Sequence, residues 1–133
     1  MYLLDTNIII YTLKNKFENI KFMIENAGMN NVCVSSLTVA ELEHGAAKSN
    51  NPDKARAILY EFLTPFEILN FDTKSAEYYG RIRADLEKSG KVIGPIDLMI
   101  AAVAMANSAI VVTNNEKEFE RIEGLKIENW TTR

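Results

Sequence analysis

An apolar run of three residues, Tyr2-Leu3-Leu4, ends on an acid, Asp5, and a helical pattern follows at once. A run of this kind reads as a buried strand of a parallel sheet, because helices cover such a sheet on both faces and its strands are apolar on both sides. The pattern returns late in the chain, where residues 109–113 form an apolar run that leads into Asn114-Asn115. Ligand sites in open α/β sheets lie beyond the carboxyl ends of the strands. Asp5 and Thr113-Asn114-Asn115 therefore stand where this kind of fold places chemistry. Asp and Thr are also common helix caps, so Asp5-Thr6 by itself leaves both roles open.

The rest of the chain continues the alternation. Strands are predicted at 2–4, 32–35, 66–71, 109–113 and, as a last short one, 125–127. Helices are predicted at 8–13, 17–25, from Ser35 or Ser36 to about Ser49, at 55–63 after a start at Asn51-Pro52-Asp53, from Asp72-Thr73 to Lys88, at 96–105 and at 117–122. Gly28 and Gly90 close two of them. The helix from Ile96 is nearly all apolar and is expected to be buried on most sides. The order implies an α/β fold, a central parallel sheet of four or five strands with helices on both faces. A length of 133 residues implies one domain, residues 1–133, able to bury one substantial core.

Composition narrows the class. An apolar share of 47% with 25% charged residues is ordinary for a globular chain, so neither disorder nor a fibrous class is indicated. No secretory signal is expected, and the most apolar window, 98–106, is too short to span a bilayer. The single cysteine, Cys33, lies in the apolar run Val32-Cys33-Val34 and has no partner for an internal disulfide; a cytoplasmic setting and an inert buried thiol are expected. Net charge is −3, which argues mildly against a nucleic-acid binder. A metal-dependent nuclease must gather carboxylates, however, and these lower the total without describing the binding face.

Several acids fall at informative places. Glu41 lies in Ala40-Glu41-Leu42-Glu43, on the helix after the second strand. With Leu37 and Ala40 taken as the buried face, Glu41 is nearer to it than Glu43. Asp97 opens the apolar helix just after Gly94-Pro95. An acid in a first helical turn is favoured by the helix dipole, by about 0.3–1 kcal/mol. The apolar run behind it also implies partial desolvation, and a desolvated acid needs a partner. Glu116 and Glu118 follow the late strand. Carboxylates brought together without Lys or Arg raise one another's pKa, and a divalent cation removes that cost. Hard oxygen ligands select Mg²⁺ or Mn²⁺, and such an ion with a few carboxylates and waters suits phosphodiester hydrolysis.

Four segments resemble PIN-domain proteins, and more narrowly VapC-type toxins of bacterial toxin–antitoxin pairs. They are Leu-Leu-Asp-Thr-Asn at the start, Ser-Ser-Leu-Thr-Val-Ala-Glu-Leu-Glu-His-Gly in the first third, Ile-Gly-Pro-Ile-Asp-Leu-Met-Ile-Ala-Ala late, and Val-Val-Thr-Asn-Asn-Glu-Lys-Glu-Phe near the end. The resemblance implies a Mg²⁺-dependent endoribonuclease (Mn²⁺ as the alternative ion) that cuts RNA, with transfer RNA as the expected substrate. It also implies a small VapB-type antitoxin partner and a homodimer. The family's acids fall on Asp5, Glu41 and Asp97, with Asp5 and Asp97 as metal ligands and Glu41 completing the site through metal or water. The fourth position falls on Thr113, Asn115 and Glu118. Many relatives carry an acid where this chain has Asn115; Glu118 is then a catalytic candidate, and Thr6, Thr113 and Asn115 are candidates for positioning substrate.

Other readings stay in view. A phosphohydrolase using Asp5 as nucleophile usually carries a second acid two residues later, where this chain has Asn7. A non-catalytic binding module on the same fold would be expected to lose one of the central acids. His44 reads as a helix-surface residue. Tyr78-Tyr79-Gly80-Arg81-Ile82-Arg83 has aromatic and basic groups fit for RNA, and its helical spacing fits core or dimer packing as well.

Overall fold

Strand β1 (Tyr2–Leu4) is the middle of a five-stranded, fully parallel sheet. Its partners are β2 (Val32–Ser35), β3 (Glu67–Leu69), β4 (Ile110–Val112) and β5 (Ile127–Glu128), in the order β3-β2-β1-β4-β5. The computed structural model describes residues 1–132. Leu3 pairs with Cys33 on one side and Val111 on the other, and Leu4 with Val34 and Val112. The chain runs outward from β1 through β2 to β3, then crosses to β4 and β5. The reversal falls between β1 and β4, the switch point at which open α/β sheets bind ligands.

Period-two alternation divides the core. Leu3, Cys33 and Val111 face one layer, built from α5 (Thr73–Lys88), α6 (Pro95–Ala106) and the short α7 (Glu116–Phe119). Leu4, Val32, Val34 and Val112 face the other, built from α1 (Thr6–Leu13), α2 (Glu18–Ala27) and α4 (Pro52–Leu63), with Trp130. Helix α3 (Ser36–Ala47) packs on α4 and also meets α6 and β2. A 3₁₀ turn, Met29–Asn31, precedes β2. Helix α6 is buried nearly all round, with Ile100 to Ala104 fully enclosed, as its composition implied. Gly28 and Gly90 end α2 and α5 at φ of 88° and 70°, a left-handed region that other residues enter at a cost.

Element boundaries differ from expectation for local reasons. Helix α1 begins at Thr6 and not at residue 8, because Asp5 is itself the cap. Helix α4 does begin at Pro52, capped by Asn51, where the Asn51-Pro52-Asp53 start was expected. The third strand is only Glu67–Leu69, whereas 66–71 was predicted. Phe66 turns inward beside Phe62, with ring centroids 5.3 Å apart, and Phe71 meets Tyr79 at 6.1 Å; both are apolar for packing, not for pairing. The last strand lies at Ile127–Glu128 and not at 125–127, since the Val111 and Thr113 N–H groups bond to the carbonyls of Lys126 and Glu128. Helix α7 stops at Phe119, short of the predicted 122.

Candidate active site

In a parallel sheet every carboxyl end lies on one edge. Asp5 follows β1, Thr113 follows β4 and Ser35 ends β2, so the three share that edge. Asp5 is 4% exposed. Its Oδ1 accepts the Ile8 N–H at 3.0 Å and so caps α1. The acid both caps the helix and faces the site, so the two roles left open by its sequence coexist. Burial pushes its carboxyl above the ordinary range, and the nearby Glu41 charge adds to this. Hydrogen bonds from the Thr113 hydroxyl and the Ile8 and Asn7 N–H groups oppose the shift.

A cleft of about 290 Å³ opens above Asp5. Its lining includes Thr6, Asn7, Glu41, the Gly94–Ile96 turn and Asp97, with no Lys or Arg. The three acids expected to converge, Asp5, Glu41 and Asp97, thus meet at one opening from β1, α3 and α6. Glu41 arrives by a route the sequence did not indicate. Ala40 is exposed, and the buried line of α3 runs through Thr38, Leu42 and Ala46; Leu37 packs on the core as expected, while the expectation that Ala40 shares a buried face is corrected. Glu41 is exposed and held at the cleft by Thr6, whose hydroxyl donates to Oε1 at 2.6 Å. The Thr6 hydroxyl lies 3.1 Å from that of Thr38, and the Ser35 hydroxyl donates to the Thr38 hydroxyl at 3.3 Å. Ser35 also caps α3 through the Thr38 N–H. Ser35 and Thr38 were missed as site-supporting residues; the only signal was a Ser cap followed three residues later by Thr. Thr6, expected to position substrate, thus holds Glu41.

The opposite wall is a three-residue bridge. The Asn115 Nδ2 donates to Asp97 Oδ2 at 3.3 Å and to Glu118 Oε2 at 2.9 Å. Asp97 is half-buried in the first turn of α6, and its carboxyl is pushed up to about 6. Burial is the main cause; contact with Glu118 and the charges of Asp5 and Glu118 add to it, while the Asn115 amide opposes them. Thr113 is fully buried and its Oγ1 accepts the Asn115 N–H at 2.9 Å, which fixes the turn that carries Asn115. Glu116 points away, toward Asn129.

The donor set is all oxygen, anionic and without a cation, which fits a hard divalent ion. Among the described residues no three acid, His or Cys side chains stand close enough to form a complete protein cage. A hard divalent ion held there by one or two carboxylates would complete its shell with water.

The other candidates lie elsewhere. Glu43 pairs with Arg56 at 3.1 Å and accepts from the Tyr60 hydroxyl at 2.6 Å, tying α3 to α4. His44 is exposed on α3. Arg81 stacks on Tyr78 and Arg83 bonds to Tyr79 and Glu87, all on α5 and outside the cleft lining. Cys33 is buried, and burial pushes its thiol up to about 12, which makes it inert. Among the described residues no helix is long and apolar enough to cross a membrane.

Comparison with known proteins agrees with this geometry. The family model for the PIN domain matches residues 2–125. Ribonuclease VapC2 of Haemophilus influenzae is 46% identical over 130 residues, 97% of each chain. The tRNA(fMet)-specific endonuclease VapC of Salmonella typhimurium is 44% identical over 129 residues, again 97% of each. The crystal structure of VapBC2 from Rickettsia felis, bound to a DNA fragment from their promoter, superposes with a TM-score of 0.92 at 40% identity, covering 97% of this chain and 98% of that one. Fold, site edge and whole-length similarity agree: this chain belongs to the PIN-domain family, in its VapC branch.

Proposed function

We propose that this chain is the endoribonuclease toxin of a toxin–antitoxin pair, hydrolysing RNA phosphodiester bonds with Mg²⁺ and taking transfer RNA as substrate. The observation that carries this reading is the meeting of Asp5, Glu41 and Asp97 at one cation-free cleft on the carboxyl edge of the sheet. The 44% identity to a tRNA(fMet)-specific endonuclease supports the substrate class. PIN-domain nucleases generally depend on divalent metal. In this chain Asp5 and Asp97 would hold the ion, with Glu41 completing the site directly or through water.

A bound ion supplies positive charge that polarises the phosphate and stabilises the oxygen charge that develops in hydrolysis. The chain's own groups do the rest. Thr113 and the N-terminus of α1 keep Asp5 in one orientation. Thr6 holds Glu41 at the mouth of the cleft, where it meets the water or the phosphate. Asn115 fixes Asp97 against Glu118, and Glu118 stands beside Asp97 as the remaining catalytic candidate. The buried wall of α6 excludes bulk water from behind the acids.

A small VapB-type antitoxin would silence the chain by placing a basic side chain among these acids, where it competes with the metal for the same charge. The family resemblance implies a homodimer as the functional unit. The phosphohydrolase reading gains nothing from the structure: Asn7 is exposed at the rim and offers no second acid.

Purified chain incubated with transfer RNA and Mg²⁺ is expected to give discrete cleavage ends, mapped by end sequencing. Asp5→Ala is expected to give none while keeping the circular dichroism of the native chain. Equal cleavage by the variant would remove Asp5 from the mechanism.

A further inference from the structure

The Asp97–Glu118 arm differs from the Asp5 arm in what neutralises it. Asp5 is met by N–H and hydroxyl donors of the backbone and Thr113. Asp97 and Glu118 are in contact with each other, and between them stands one amide group, with Asn115 Nδ2 at 3.3 Å and 2.9 Å from their oxygens. An NH₂ group has two hydrogens, and here each is directed to a different carboxylate. Hydrogen bonds to ionised acceptors are the strong ones. The amide therefore does locally what a cation would do for these two acids, without carrying a charge. It also occupies with donor hydrogens the space between them that an ion would need. Thr113 fixes the turn on which this amide is carried.

We propose that Asn115 is a neutral cross-link standing in for a second cation, so that this centre binds one divalent ion, on the Asp5–Asp97 side, and not two. The inference rests on the metal-nuclease reading above. It makes Asn115 a positioning residue that sets metal stoichiometry, and it separates Glu118, held in the cross-link, from the acids that ligate the ion. Placing an acid at 115 would put three carboxylates in contact, an arrangement stable only with a further cation or a proton.

The test is calorimetric titration of the full-length chain with Mn²⁺, with electron paramagnetic resonance to count bound ions. The native chain is expected to bind one ion, and two would overturn the proposal. Asn115→Asp is expected to bind a second ion, or the same ion more tightly by about tenfold. No change in either number or affinity would overturn it. Should Asn115→Asp not fold, Glu118→Gln decides. The proposal expects it to weaken Mn²⁺ by less than about fivefold, the loss of one nearby charge, while Asp5→Asn weakens it by more than about fiftyfold. Equal losses in these two variants would overturn it. Failure of the native chain to bind any Mn²⁺ at millimolar concentration would instead sink the metal-nuclease reading itself.

Discussion

The Thr6 hydroxyl donates a 2.6 Å hydrogen bond to Glu41, 35 positions away, and so joins the first turn of α1 to the middle of α3. Thr6 follows directly on Asp5, so the same short turn anchors one acid by its backbone and a second by its side chain. Thr6→Val is expected to free Glu41 while leaving the Asp5 cap intact. A hydrogen bond to a charged acceptor at an exposed position is worth about 1 kcal/mol, which is about a fivefold loss in cleavage rate. Thr6→Ser is expected to restore most of it. A kinetic comparison of the three proteins on one RNA checks this; a native rate in Thr6→Val would dismiss the contact as incidental.

Asp97 gives a pH signature in the metal-free chain. Its carboxyl moves from the ordinary 3.8 to about 6 on folding, through burial first and Glu118 second. Between those values the folded chain holds more protons than the unfolded one. The contribution of Asp97 to stability therefore falls as pH rises from 3.8 to about 6, then levels off. Thermal melts across that window are expected to lose this contribution in Asp97→Asn, the slope that remains being that of Asp5 and the other shifted acids. Added Mg²⁺ at neutral pH is expected to raise the melting temperature, because it binds the folded state. An equal slope through the window in the native chain and in Asp97→Asn would contradict the assignment.

Glu43 tests the difference between two acids two positions apart. Its carboxyl is held below the ordinary range by the Tyr60 hydroxyl and by Arg56, at the exposed contact of α3 with α4. Exposed pairs of this kind contribute little to stability, because water and salt screen them. Glu43→Gln is expected to leave cleavage within about twofold and the melting curve nearly unchanged, whereas Glu41→Gln is expected to abolish activity. Matching losses in the two variants, measured side by side, would mean that the cleft is drawn wrongly.

The C-terminal segment also supports the site. Trp130 is 2% exposed and lies 5.1 Å from the Tyr2 ring. Asn19 holds the carbonyls of Trp130 and Thr132, and Asn129 reaches Asn114 and Glu116 beside the cleft wall. Trp130→Ala is expected to cost about 3–5 kcal/mol by opening a cavity in the core. Urea denaturation gives the number. A cost near zero would show the indole to be dispensable.

The parts of this architecture set by periodicity were legible in the sequence. Strands β1 and β2 and helix α5 fall where apolar spacing places them, and Asp5 and Asp97 stand at the ends of such elements, whereas Glu41 lies in the middle of α3. Phe66 and Phe71 misled because an apolar residue signals burial whether or not its backbone pairs. Ala40 misled because a small residue on a helix marks no face by itself. The link from Thr6 to Glu41 and the amide of Asn115 between Asp97 and Glu118 lay beyond the sequence. Each joins elements distant along the chain, and only the parallel topology around β1 brings them into reach.

On the proposed function, a divalent cation sits at the carboxyl edge of β1, held by Asp5 and Asp97. The most direct test is anomalous diffraction from crystals of the chain grown or soaked in Mn²⁺. An anomalous peak is expected in contact with the carboxylates of Asp5 and Asp97, absent from crystals of Asp5→Asn. A well-ordered cleft with no peak beside those two residues, at a Mn²⁺ concentration that supports RNA cleavage, would contradict it.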